Sequence, residues 1–311
     1  MLVSVIFSTR NRAERLAVTL EGFTRLEVPA AVTWELVVAD NGSSDRTAAV
    51  IAEWAERLPL RRVWAPDPGL SRGRNAALAA ARGELILFTD DDVMVSSGWM
   101  AAYVQAYRAH GSDRFFGGPI ESVFEGDPPP APWLRLAPAS IKGLYWGAEE
   151  RPLESGEYFI GPNWACAAEP VRRVGGFNPR MGLGARDGPC GGEELELMER
   201  LRAEGLRSWY VPSARLLHWV PASKTGSGHI LARWEALAAV QAWKGKTAYR
   251  PGGFYRVPWK LYRDMGKALL RRMAAGLGYG DPIEAEARYV WCRGLWTGFR
   301  LPPRRPEDLT E

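Results

Sequence analysis

Leu85-Ile86-Leu87-Phe88-Thr89-Asp90-Asp91-Asp92-Val93 is an apolar run that ends abruptly in three acids. Consecutive bulky apolar residues read as a buried strand, and three carboxylates end such a strand poorly unless something binds there. Side chains alternate faces along an extended backbone, so Asp90 and Asp92 are expected to point one way and Asp91 the other. Two carboxylates converging on one spot repel each other, and a hard divalent ion such as Mg2+ or Mn2+ relieves that repulsion. The plainer reading is a solvated acidic turn whose charges favour the N-terminus of a following helix. The flanking sequence decides between the two.

Upstream, a strand, a polar loop and a helix recur. Val3 to Ser8 is β-branched and apolar; Ser8-Thr9-Arg10-Asn11-Arg12 follows, then a helical spacing of Leu16, Leu20 and Phe23. Trp34 to Ala39 reads as a second strand, stopped by the turn formers Asp40-Asn41-Gly42-Ser43-Ser44-Asp45 before a helix with Val50, Ile51 and Trp54. A third strand, Arg61 to Trp64, leads through Gly69-Leu70-Ser71-Arg72-Gly73-Arg74-Asn75 into an alanine-rich helix. This alternation predicts an α/β fold, a mostly parallel sheet covered by helices on both faces. Ligands of such sheets bind beyond the carboxyl ends of the strands, and every polar cluster named so far falls there. The loop after the first strand has no glycine, which excludes the dinucleotide fingerprint and the phosphate loop of nucleotide hydrolases.

The chain has 311 residues and is 46% apolar, enough for a substantial core. Forty basic residues against 36 acidic make it mildly basic, with nothing to suggest a nucleic-acid partner. Three scattered cysteines, Cys166, Cys190 and Cys292, match no metal pattern and point to a reducing compartment. The first apolar patch is too short for a signal peptide, and no window approaches the length of a membrane span. A cytoplasmic location is expected, with placement at the inner face of the cell membrane open.

Residues 111–165 are rich in Pro, Gly and Trp and read as an irregular wall or lid. Beyond them come Gly161-Pro162-Asn163-Trp164, Gly175-Gly176-Phe177 and a glycine-heavy loop. Gly192-Glu193-Glu194-Leu195-Glu196-Leu197 then opens an amphipathic helix on acids, and Leu216-Leu217-His218-Trp219 follows a short strand. From Trp259 onward, helical spacing gathers Lys260, Arg263, Lys267 and Arg271 on one side and Tyr262, Met265, Leu269, Met273 and Leu277 on the other. Such a helix either packs its apolar side on the rest of the protein or settles among anionic headgroups.

In this order the motifs from Val3 to Gly245 resemble the family 2 glycosyltransferases, inverting enzymes of the GT-A fold that use nucleotide diphosphate sugars. The resemblance implies a catalytic domain over 1–245 and a helical C-terminal extension over 246–311. It places Thr9, Asn11, Arg12 and Asp40 around the nucleotide, Asp40 accepting the N3 hydrogen of a uracil or thymine base. Arg74 would approach the nucleotide or its phosphates; Asn75 and Asp91 are grouped with the donor-binding residues. Asp90 would reach the ribose or share the metal, and Asp92 would hold the Mg2+ or Mn2+ on the diphosphate, with His218 as a further ligand. Asn163 and Trp164 would touch the donor sugar or acceptor. The family's Gly-Glu-Asp base motif stands here as Gly192-Glu193-Glu194, which makes Glu194 the implied base and leaves Glu193 within reach of the same role.

The implied partners are a nucleotide diphosphate sugar donor of the UDP or dTDP type, a glycan or lipid-linked acceptor, and a membrane surface touched peripherally. Two other readings compete. A sugar-phosphate nucleotidyltransferase would share fold and metal, but the loop after the first strand lacks its glycine-rich, lysine-bearing signature. A non-catalytic carbohydrate- or membrane-binding relative would not need to keep both metal acids and base.

Overall fold

The computed structural model describes residues 1–185, 188–245 and 257–302. Leu2–Thr9 (β1), Ala13–Phe23 (α1), Thr33–Asp40 (β2), Thr47–Trp54 (α2), Leu60–Trp64 (β3), Leu70–Ala80 (α3) and Leu85–Phe88 (β4) form the expected alternation. The four strands pair in parallel in the order β3-β2-β1-β4. The apolar runs of β1, β2 and β4 are continuous because both faces are covered, whereas β3, at the sheet edge, carries Arg61 and Arg62 and an exposed Trp64. Val3, Val5, Phe7, Leu36, Val38, Leu85 and Leu87 enter one core with α1 and α2, whereas Ile6, Val37, Ala39, Ile86 and Phe88 enter another beneath α3.

Val93–Val95 (β5), Trp99–His110 (α4), Arg114–Gly117 (β6), Ile120–Phe124 (β7), Ala131–Leu136 (α5), Ala139–Lys142 (α6), Arg151–Pro152 (β8), Trp164–Ala167 (β9) and Ala168–Arg173 (α7) follow. Then come Glu193–Ala203 (α8), Arg207–Tyr210 (β10), Leu216–Val220 (β11), Ser227–Trp243 (α9), Trp259–Gly276 (α10) and Pro282–Arg300 (α11). The large sheet continues from β4 through β9, β6, β10 and β8. β9 runs antiparallel to both β4 and β6, so the sheet is mostly but not wholly parallel. A smaller sheet has the order β5-β11-β7.

Residues 111–165 are therefore not an irregular wall: β6 and the start of β9 lie inside the main sheet. β6 and β9 are four residues each, too short for a period-2 pattern to stand out among prolines and glycines.

Candidate active site

The carboxyl ends of β1, β2 and β4 lie side by side, since Thr9 is in register with Asp40 and Ile6 with Phe88. The acid triplet leaves this edge as a turn. β4 stops at Phe88 and residues 91–92 turn, so strict alternation does not apply and Asp91 stays with its neighbours. Its Oδ2 accepts from Thr9 Oγ1 at 2.7 Å, and Arg12 reaches Asp91 at 3.5 Å and Asp92 at 2.9 Å. Thr19 pins the turn: its hydroxyl donates to the Asp91 carbonyl at 2.9 Å and accepts from the Val93 amide at 3.2 Å.

The link to the second acidic cluster is Arg74. α3 can bring it in because Gly73 lies against β1, where an added Cβ would sit 2.2 Å from Ser8 Oγ. The Arg74 side chain is buried and bridges two elements: Nη2 donates to Asp90 Oδ1 at 2.6 Å and Nη1 to Glu193 Oε1 at 2.7 Å. Glu193 and Glu194 open α8 behind Gly192, whose left-handed φ of +74° suits a residue without a side chain. The acid triplet and the glutamate pair thus share one site, a single guanidinium apart.

The electrostatics separate the carboxylates. Burial and the Asp92 charge push Asp91 up to about 7, against the pull of Arg12 and Thr9. Burial also raises Asp90, against the pull of Arg74. Burial would raise Asp92 too, but the hydrogen bond and charge of His218, with Arg12 and Lys224 beyond, hold it well below the usual carboxylate range. Glu194 is half-buried; burial and the Glu193 charge push it up to about 8 although Arg74 opposes them. Its Oε2 is a buried atom with no partner.

Among the described residues no group of three or more His, Cys, Asp or Glu side chains is arranged as a metal site. Asp92 Oδ1 and His218 Nε2 nevertheless lie 3.4 Å apart, a carboxylate oxygen and an imidazole nitrogen near enough for one divalent ion to reach both. Asp92 and His218 are therefore the residues that could hold a divalent cation. The pair is Asp92 with His218 rather than Asp92 with Asp90, because Asp90 is turned to Arg74.

Three sequence expectations are corrected. Asn163 is fully buried: its Oδ1 accepts from Trp99 Nε1 and Tyr103 Oη, both at 2.7 Å, and its Nδ2 donates to the carbonyls of Pro119 and Ala214. With every polar site filled, it is a core brace and not a substrate contact. Trp164 is likewise buried, stacked on Phe88 with ring centroids 3.8 Å apart. Asn75 exchanges hydrogen bonds with the backbone of Phe177, at 2.7 and 2.8 Å, and so holds the Gly-Gly-Phe loop instead of a phosphate.

Asn11 is exposed with φ +51°, and its Oδ1 accepts from the Ser44 amide, joining the loops after β1 and β2. Asp40 is fully buried; one oxygen accepts from the Ser43 amide and the other from Arg62, whose nitrogens approach to 3.1 and 2.6 Å. Arg62 and Lys224, the latter 4.0 Å from Asp92, have no motif around them and escape a sequence reading. The same is true of Arg200, which ties Glu196 to the carbonyls of Val174 and Gly176 and so holds α8 to the Gly-Gly-Phe loop.

Solved structures share this architecture. The mannosyltransferase PcManGT of Pyrobaculum calidifontis, solved with GDP-Man and Mn2+, superposes with a TM-score of 0.59 at 20% identity, over 95% of this chain and 86% of that one. S. aureus TarS 1-349 with UDP-GlcNAc gives 0.55 at 16%, over 94% and 90%. The fold is thus that of the GT-A glycosyltransferases. The Glycosyl transferase family 2 model matches residues 4–160, about half of the chain, and the protein belongs to that family.

Among curated relatives, the validoxylamine A glucosyltransferase of Streptomyces hygroscopicus subsp. jinggangensis is 28% identical over 66% of this chain and 52% of its own length. The succinoglycan biosynthesis protein ExoM of Rhizobium meliloti is 24% identical over 78% and 70%. The uncharacterized glycosyltransferase YfnE of Bacillus subtilis is 33% identical over 35% of this chain and 27% of its own length. The chain therefore spans only part of these relatives, about half of the validoxylamine enzyme.

Proposed function

We propose that the protein is an inverting, divalent-metal-dependent glycosyltransferase that moves a sugar from a UDP- or dTDP-linked donor to a hydroxyl of a glycan or lipid-linked acceptor, in the synthesis of surface glycans or glycolipids. The observation that carries this reading is the Arg74 bridge, which sets the acid triplet and the glutamate pair on either side of one guanidinium. An enzyme of this kind needs charge compensation at the departing diphosphate and a base at the attacking hydroxyl, within one sugar's reach of each other. The solved structures of the same fold, one with UDP-GlcNAc and one with GDP-Man, support a nucleotide diphosphate sugar as the donor.

Asp92 and His218 would hold the ion, and the ion when bound would neutralise charge on the diphosphate. Glu194 is the better base of the pair, because Glu193 spends its carboxylate on Arg74 while Glu194 keeps an unpartnered oxygen. The acceptor oxygen attacks the anomeric carbon from the face opposite the diphosphate, and its proton passes to Glu194. The bond from that carbon to the diphosphate oxygen breaks, and the electron pair leaves with the nucleoside diphosphate. Arg62 lies over Asp40 and is about one-third exposed; it would give way where a base N–H meets that carboxylate.

The test is release of nucleoside diphosphate from a panel of UDP- and dTDP-sugars, with Mn2+ or with a chelator, and NMR of the product anomer. Metal-dependent release with an inverted anomer is expected, and Asp92→Ala and Glu194→Gln should each lower the rate about 10²-fold or more. A retained anomer, undiminished transfer in Asp92→Ala, or pyrophosphate formed from a nucleoside triphosphate and a sugar phosphate would overturn the reading.

A further inference from the structure

α10 has three faces where its sequence suggests two. Leu261 and Ala268 are buried, and Met265 packs beside them against α11. At 100° per residue this face leaves a second stripe pointing away from the protein. Trp259, Leu270, Met273 and Leu277 lie along it, 70%, 67%, 61% and 79% exposed, and Tyr279 just beyond the helix is 75% exposed. Leu269, Met273 and Leu277, which the sequence groups with Tyr262 and Met265 on one apolar side, are on this open side. Beside the apolar stripe runs a third, basic one, where Arg263, Lys267 and Arg271 are all exposed.

We infer that this face of α10 docks on an anionic lipid bilayer, lying in the headgroup layer with its apolar stripe towards the acyl chains. The charge pattern chooses the occupant. α10 carries five basic residues and one acid, Asp264. A two-fold dimer through this face would set Arg263, Lys267 and Arg271 against their own copies, which costs free energy, whereas anionic headgroups neutralise them. Trp259 and Tyr279 stand near either end of the stripe, and such amphipathic rings favour the membrane boundary. Among the described residues no helix is long and apolar enough to cross a membrane, so the contact is peripheral. The inference rests on this helix alone and is independent of the transfer chemistry.

The experiment is co-sedimentation of the full chain with vesicles of phosphatidylcholine alone or mixed with an equal part of phosphatidylglycerol. Binding is expected to the mixed vesicles only and to weaken with salt. Leu270→Glu with Met273→Glu should lower it about tenfold or more, with an unchanged melting temperature because both side chains are exposed. Arg263→Gln with Lys267→Gln and Arg271→Gln should also weaken it and flatten the salt dependence. The inference is overturned by equal binding to both vesicle types or to neither, by binding that survives the paired glutamates, or by a solution dimer that those glutamates dissociate.

Discussion

Glu194, the proposed base, would give the site its pH dependence. A base must be deprotonated to act, and burial beside Glu193 pushes this carboxyl up to about 8. The expected profile of kcat/KM therefore climbs with pH and levels only above about 8, and Glu194→Gln removes that limb. A profile unchanged in Glu194→Gln but abolished in Glu193→Gln would move the base to Glu193. Stability carries the opposite sign. The folded-state value lies above the ordinary 4.5, so the folded protein holds a proton that the unfolded chain has released. The contribution is complete below 4.5 and is lost as pH rises through about 8. Glu194→Gln cannot ionise, so its melting temperature should gain on the native protein across that window and run parallel to it above. Arg74 is the other decisive side chain at this scale. Arg74→Lys keeps the charge, but one ammonium cannot reproduce a fork that reaches Asp90 and Glu193 together. Arg74→Ala leaves a buried carboxylate without its partner, a cost of roughly 3–5 kcal/mol. Both should lower the rate, and calorimetry should show a melting point that falls much further for alanine than for lysine.

At the scale of elements, the site is made by strands that end together, and a strand from the far half of the chain completes their support. β9 enters between β4 and β6 in the opposite sense, and Asn163 just before it braces α4, through Trp99 and Tyr103, to the carbonyls of Pro119 and Ala214. Asn163→Ala should cost at least about 2 kcal/mol, since it strands several buried polar groups at once. Denaturant unfolding would register that loss. KM for the donor should stay near the native value in whatever folds, and a raised KM with native stability would restore the substrate-contact reading. β1 and β2 were legible in the sequence because they are long, largely apolar and followed by turn formers, and β4 because its apolar run breaks off at the acid triplet. The triplet, Arg74 and the Glu193-Glu194 pair were legible because they stand in recognisable order. Asn163, Trp164 and Asn75 misled because a motif marks a position without saying which way the side chain faces. Arg62, Thr19 and Lys224 could not have been found, since each gains its meaning from a partner distant along the chain.

At the scale of the whole molecule, the helices after the sheet are built into the site. The helical cluster begins with α9, ahead of residue 245: Ala238 and Ala242 share a core with Leu261, Leu295 and Phe299 of α10 and α11. Two glycines of α11 let it lie against α9, for a Cβ on Gly294 would stand 2.2 Å from the Glu235 carbonyl and one on Gly298 2.2 Å from that of Ala239. The other side of α9 reaches the start of α8, which carries the proposed base. Val240 packs with Met181 and Trp243, and a Cβ on Gly192 would stand 3.1 Å from Val240 Cγ1. A push on α11 would therefore bear on α9 and, through Val240, on Gly192 at the turn that opens α8. Gly298→Val is expected to do this from the far side of α9: the backbone carbonyl it meets cannot rotate aside, so the helices must separate. The melting temperature should fall, by on the order of 2 °C for each kcal/mol lost, and kcat should fall with it while thermal unfolding stays a single transition. If unfolding instead splits into two transitions with kcat unchanged, α9 does not couple the C-terminal helices to the base.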